Sequence, residues 1–314
     1  MLTATASQII TEALEQLGVL GEGETPTSNQ ISSSLTTLNM LTKTWQADGL
    51  HLFAVKDVYL FTKLGQKIYT FTDLTQDKFV SSYTNTTLYS AAASGDTTVN
   101  IVSAAGIFNG AEIGFLNGNS IIWKNVFSST PGPGYTTVNL GSPVGTNLSA
   151  GTPTYLLGTG APQKPLKLLE AYIIDPNGNT NLILNTVSRI DYDTLSTITT
   201  VGRPNQLYFN PQISYAELSL WPFPQNEGQV ISMVVQRDLD SNTDTSELVD
   251  YPSEWFLPLA MNLAKLLAPK YGIPQMDYQR IALHAKELYE MARGFDQEMD
   301  VSVFFNPYNQ GQRG

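Results

Sequence analysis

Residues 218–235 read LSLWPFPQNEGQVISMVV. Two β-prone runs flank a turn at Asn226-Glu227-Gly228, so the stretch reads as a hairpin. Apolar residues fall on both alternating sets. Leu218, Leu220, Val230 and Val234 make one set; Trp221, Phe223, Ile231 and Met233 make the other. A hairpin apolar on both faces is covered on both faces. Pro222 and Pro224 each remove a backbone donor, so the first strand ends at an edge or a bend. Glu227 is the one nearby group able to do acid–base work, and it sits in the turn. The stretch therefore reads as a joint. Trp221 and Phe223 are expected to pack where the β region meets a helical core or another subunit.

Working outward, residues 56–72, KDVYLFTKLGQKIYTFT, read as a second hairpin around Leu64-Gly65-Gln66. PLKLLEAYIID, TNLILNTVSRIDY and QLYF add strands, with a turn at PNGN, Pro176 to Asn179. Between them, residues 79–163 hold only three charged residues, Asp96, Glu112 and Lys124. Short apolar runs (TTVNIV, AEIGFL, SIIWKNVF, TTVNL, PTYLL) alternate there with turn residues. That spacing predicts an inserted sandwich or barrel. Its β-branched and aromatic content is too high for disorder.

Helices flank this region. Ile9, Ile10, Ala13, Leu14 and Leu17 keep one face apolar at helical spacing, as do Ile31, Leu35, Leu38, Met40, Leu41 and Trp45. Thr5 with Gln8 and Thr27 with Gln30 fit capping boxes; Gly18 and Gly49 are stops. After Asp250, one helix offers Phe256, Leu259, Ala260, Leu263 and Leu267, with Pro258 tolerable only in the first turn. A last helix offers Tyr278, Ile281, Ala285, Leu288 and Ala292 and closes on Gly294. The fold class is α+β. Helix pairs from both chain ends make a helical core, 1–50 plus 251–295. A β platform spans 51–78 plus 164–250, an all-β insertion spans 79–163, and 296–314 form an extended tail. In the tail, Val301, Val303, Phe304, Phe305, Pro307 and Tyr308 suit addition to a neighbour's sheet or groove.

The 314 residues carry a net charge of −11 and no cysteine. Disulfides, thiolate nucleophiles and Cys-type zinc sites are excluded. An acidic chain is a poor nucleic-acid binder, because neutralising phosphates needs a basic face. Charged residues make up 14%, against about 25% in ordinary soluble domains. Such a surface is either covered by partners or a solvated polar β surface. No Lys or Arg precedes Lys43 and no apolar run suits a membrane helix, so a soluble protein made in a cytoplasm is expected.

Chemistry is sparse. His51 reads as a loop residue and His284 as a helix–helix contact, since no ligand lies one turn away. No hydrolase, zinc or nucleotide fingerprint is present. Glu12 with Glu15 and Glu287 with Glu290 could pair as glycosidase carboxylates, but an exposed acidic face is the simpler account. Asp238, Asp240, Asp244, Glu247 and Asp250 lack the spacing of a calcium loop and read as a solvated connector. No catalytic residue, cofactor or metal site is expected. Arg189, Arg203 and Arg237 stand beside strands and are candidate inter-subunit ion pairs, with ordinary surface pairs equally open; Arg203 and Arg237 are grouped with Trp221 and Phe223 at the β joint. Tyr83, Tyr89, Trp123 and Tyr135 leave open a glycan- or receptor-binding β module.

Several stretches in order carry a resemblance. They are IITEALEQLGVLGEGETPTSNQISSSLTTLNMLTKTWQADGL, then SGDTTVNIVSAAGIFNGAEIGFLNGNSIIWKNV, GRPNQLYFNPQ, LSLWPFP and YPSEWFLPLAMNLAKLLAPKYG. Together they resemble the head-to-tail adaptor family of short-tailed bacteriophages, the tail accessory factor or packaged-DNA stabilisation type. The β insert looks like an elaboration of larger members. The resemblance implies a virion structural protein rather than an enzyme. It implies a homo-oligomer, a dodecameric ring docked beneath the portal protein. The ring would extend the DNA channel and present a platform to a tail nozzle or other downstream protein. Double-stranded DNA would pass its acidic lumen without specific binding, and no membrane is involved. The tail after Phe295 would reach the portal or a neighbouring subunit.

Overall fold

The computed structural model describes the chain except residues 1, 22, 50–51, 72–76, 103–106, 159–161, 175–180, 196, 198 and 297–314. The described residues are mixed α+β, with five α-helices and extensive sheet. His51, the PNGN turn and the tail residues Val301, Val303, Phe304, Phe305, Pro307 and Tyr308 lie outside the described residues. The chain divides into two compact units, Met1–Phe53 with Leu239–Gly314, and Ala54–Asp238.

The first unit holds α1 (Ala6–Gln16), α2 (Ser28–Asp48), α4 (Phe256–Leu267) and α5 (Gln275–Phe295); the short α3 (Arg189–Asp193) belongs to the other. Both capping boxes form. Thr5 and Thr27 accept from the Gln8 and Gln30 amides, and each glutamine carbonyl takes its threonine's N–H. Pro258 stands in the first turn of α4, where its missing N–H has no helical partner to lose. Helix α4 packs against α1, α2 and α5 and is buried from Pro258 to Ala264. Trp45, Tyr251, Trp255 and Tyr289 cluster between the helices, the Trp45 and Tyr289 rings 4.8 Å apart. Met40 and His284 depart from expectation: both are exposed. Each falls one position off its helix's buried stripe.

The second unit starts with a two-layer sandwich. One layer has the order β11 (Asn181–Ile183), β10 (Pro165–Ile174), β17 (Val230–Arg237), β1 (Val55–Phe61), β3 (Lys78–Val80). The other has the order β12 (Asn185–Thr186), β14 (Gln206–Pro211), β15 (Ala216–Trp221), β2 (Ile68–Thr70). Neither expected hairpin forms. Strands β15 and β17 lie in different layers, as do β1 and β2. Instead β1 pairs antiparallel with β17, and β2 with β15. Two neighbouring chain segments therefore cross between layers side by side, making one corner.

The face assignment changes with it. Leu218 and Leu220 of one layer meet Ile231, Met233 and Val235 of the other in a shared core, with Val58, Leu60, Tyr69 and Leu207. Val230, opposite Phe61, points to the far side of its layer and joins a different cluster. Both faces of β17 are thus covered, by different neighbours, which is why no polar alternation is visible.

The remaining strands are β4 (Tyr83–Thr87), β5 (Thr98–Val102), β6 (Glu112–Asn117), β7 (Ser120–Pro131), β8 (Tyr135–Leu140) and β9 (Pro153–Leu157). They form one sheet in the order β4-β9-β6-β7-β8-β5. The sheet curls until Leu88, just past β4, bridges Ile101 of β5. That contact joins the outer strands and shields both edges. Ile101, Ile113, Phe115, Val126, Val138 and Leu156 fill the interior. A two-residue parallel pair, β13 (Val201–Gly202) with β16 (Phe223–Pro224), completes the set.

Candidate functional site

The site the sequence singles out is the corner around Trp221. The Trp221–Pro222 peptide is cis. Trp221 still belongs to β15, its indole N–H donating to the Thr197 carbonyl at 2.9 Å. Phe223 N–H donates to the Thr200 carbonyl, and Gln225 N–H to that of Gly202, so the proline-rich wedge borrows its pairing from residues 200–202. Trp221 and Phe223 are half-buried. The second crossing is tied alongside. Gly65 N–H donates to the Pro224 carbonyl at 2.9 Å, and the buried Tyr69 hydroxyl bonds the Lys63 backbone. Burial pushes that hydroxyl's pKa up.

Glu227 holds the corner to the barrel. One carboxylate oxygen accepts the Leu64 N–H at 3.1 Å; the other accepts the Ile121 N–H at 2.7 Å. Its own N–H donates to the Asn119 carbonyl in the β6–β7 turn. A charged acceptor shared between two backbone donors makes stronger bonds than a neutral one. Next door, Gly228 is buried beneath Leu116, and the Tyr155 hydroxyl donates to its carbonyl. Around this point Phe61, Val80, Ile121, Tyr155, Leu157 and Val230 form a common cluster. Phe61 meets Tyr83, Trp123 and Tyr155 edge-on at 5.2–5.3 Å, the arrangement that aromatic quadrupoles favour. The Trp123 ring lies where a Cβ on Gly114 would be, which is why that position is glycine. At the rim, Lys78 of β3 reaches both carboxylate oxygens of Glu112 in β6 at 2.6 and 2.7 Å.

The structure thus joins barrel to sandwich through an apolar, aromatic seam clasped by Glu227. Tyr83 and Trp123, candidates for glycan contact, are engaged in that seam. Tyr89 and Tyr135 stand elsewhere, their rings tilted against each other with centroids 5.2 Å apart. Of the expected joint residues, Trp221, Phe223 and Arg203 come together, since Gln206 pairs with Trp221 and Gly202 with Pro224. The Arg203 Nε and Nη2 atoms are buried with no partner among the described residues. Arg237 sits at the far end of β17 from the corner. It lines a separate cleft of about 590 Å³ with Lys56, Asp57, Ser81 and Gln163. Arg189 makes an exposed pair with Asp193 at 3.6 Å. No group of three metal-binding side chains occurs among the described residues.

No family model matches this sequence, and no curated protein matches it. The sequence shows Glu227 only as a turn acid, and it gives no sign of the Lys78–Glu112 pair. Glu227 looks like any turn acid, and its partners at 64 and 121 are far away in the chain.

Proposed function

We propose that this chain is a virion structural protein, a head-to-tail adaptor that assembles as a ring beneath a portal and carries the next tail component. What supports the reading is the order of the chain. Both ends contribute helices to one unit, and residues 54–238 leave and return as a β unit. That is the order of motifs on which the resemblance to short-tailed phage adaptors rests. In this reading α1, α2, α4 and α5 are the adaptor core around Trp45 and Trp255, and the sandwich with its barrel is the platform. Within the platform, the Glu227 clasp and its aromatic seam tie the barrel to the sandwich. Ring closure by twelve copies, heterologous in type, and the neck of the virion as location both follow the resemblance. The test is native mass measurement of isolated portal incubated with the chain. A gain of twelve 34.4 kDa chains is expected; an unchanged portal mass overturns the reading.

A receptor- or glycan-binding role for the barrel has one observation in its favour. The Tyr89 and Tyr135 rings pack tilted at an interplanar angle of 30°, and Tyr89 is 52% exposed. Loss of glycan-array binding in Tyr89→Ala supports that role, and an array without signal for the parent chain removes it.

A further inference from the structure

The helical unit carries a groove with two lysines and an acidic loop, and no ion pair joins the two among the described residues. The groove, about 480 Å³, opens between α2 and α5 over α4, and Thr44, Asp48, Asn262, Lys265, Lys286 and Tyr289 are among its lining residues. Lys265 and Lys286 line it together with the Asp48 carboxylate. Lys265 has no partner among the described residues. Among the described residues Lys286 pairs only with Glu290, at 3.7 Å on an exposed surface, where solvent screens the pair. Asp48 is already engaged by the Tyr289 hydroxyl at 2.8 Å and by Arg293 at 3.5 Å. In the floor, buried Asn262 spends its amide N–H groups on the Pro258 and Ala285 carbonyls, while its Oδ1 accepts nothing from the described residues.

The loop is residues 243–247. Glu247 accepts from the Thr243 N–H, the Thr243 hydroxyl and the Asp244 N–H; Asp244 accepts from the Ser246 N–H and the Thr245 hydroxyl. These bonds hold both carboxyls below the usual carboxylate range, led by Thr243 for Glu247 and Ser246 for Asp244. Both side chains are fixed, ionised and without a cation among the described residues. The loop's own chain also fixes where it sits. Ala6 and Ser7 N–H groups donate to its Glu247 and Thr245 carbonyls. Asn39 bonds Asn242 in both directions, and Lys43 donates to the Leu239 carbonyl. Asn39 and Lys43 lie on one side of α2.

We propose that the α2–α5 groove receives the 243–247 loop of a second copy of this chain, with Asp244 and Glu247 meeting Lys265 and Lys286. Two different faces of one subunit then mate, which is the heterologous contact a closed ring requires. The assignment rests on the adaptor reading and names the contact that would build the ring.

A charge-swap experiment on isolated portal tests it. The double substitutions Lys265→Glu/Lys286→Glu and Asp244→Lys/Glu247→Lys should each cut ring assembly by about tenfold or more, as expected for close charge pairs. Mixed together, the two variants should recover assembly, because every groove then has a loop of opposite charge. Circular dichroism on each variant separates lost contact from lost fold. Full assembly of either variant alone overturns the contact and leaves the adaptor reading intact, as does a folded pair that fails to rescue. A parent chain that adds no ring to the portal overturns both.

Discussion

Glu227 and Ile121 are 106 residues apart in sequence and joined by a 2.7 Å hydrogen bond from the Ile121 N–H to the Glu227 carboxylate. The bond fixes the barrel to the corner of the sandwich. Glu227→Ala leaves the Ile121 and Leu64 amides short of an acceptor, so a loss of about 1–3 kcal/mol is expected. Glu227→Gln keeps an acceptor at one position and should recover part of it. Urea unfolding of both variants measures this, and an alanine variant with the parent midpoint would refute the clasp.

The neck of the barrel is a backbone contact. Gly158 N–H donates to the Ser82 carbonyl at 2.9 Å, and a Cβ on Gly158 would lie 2.9 Å from that same oxygen. The serine hydroxyl can rotate away but the carbonyl cannot. Gly158→Ala should therefore cost about 1–3 kcal/mol of strain. Gly95, with nothing within 4 Å of its added Cβ, is the control; Gly95→Ala should stay within about 0.5 kcal/mol. Equal thermal midpoints for the two would show that the neck has room.

Phe61 is the centre of the seam, with 1% of its surface exposed. Phe61→Ala should destabilise the β unit by about 3–5 kcal/mol. Trp123→Ala should speed amide hydrogen exchange in β6 and β7 while leaving α1 and α4 protected. Unchanged exchange in β6 and β7 would mean that Trp123 is not part of what holds the barrel.

How much of this was legible in the sequence depends on range. Both capping boxes, the helices' buried stripes and the runs that became β5 to β9 rest on local periodicity, and those elements are present in the structure. The corner was not legible. Two alternating runs around Asn226-Glu227-Gly228 look the same whether the second run pairs with the first or crosses to another layer. What decides is β1, about 170 residues earlier, which takes β17 as its partner. The doubly apolar pattern of β17 implies cover on both faces, which it has. The hairpin pattern groups Val230 with Leu218 and Leu220, because a flat hairpin has two faces and the corner adds a third environment. Glu227 is legible as a turn acid but not as a clasp, because that role lies in two amides from distant segments.

The helical unit predicts an alkaline response. Burial, then the bond to Asp48, raises the Tyr289 hydroxyl's pKa to about 12, against about 10 in an unfolded chain. The unfolded chain therefore ionises first. The stability this tyrosine contributes is complete below about pH 10 and falls as pH rises from about 10 to about 12. Tyr289→Phe should flatten that part of the stability curve and leave the curve below pH 9 parallel to the parent's. Identical slopes in the two proteins between about pH 10 and 12 would contradict it.

Negative-stain imaging of isolated portal after incubation with the purified chain tests the proposed ring adaptor most directly. A second ring, coaxial with the portal and lengthening its channel, is expected. Portal particles indistinguishable from those imaged alone, beside a chain that stays monomeric, would contradict it.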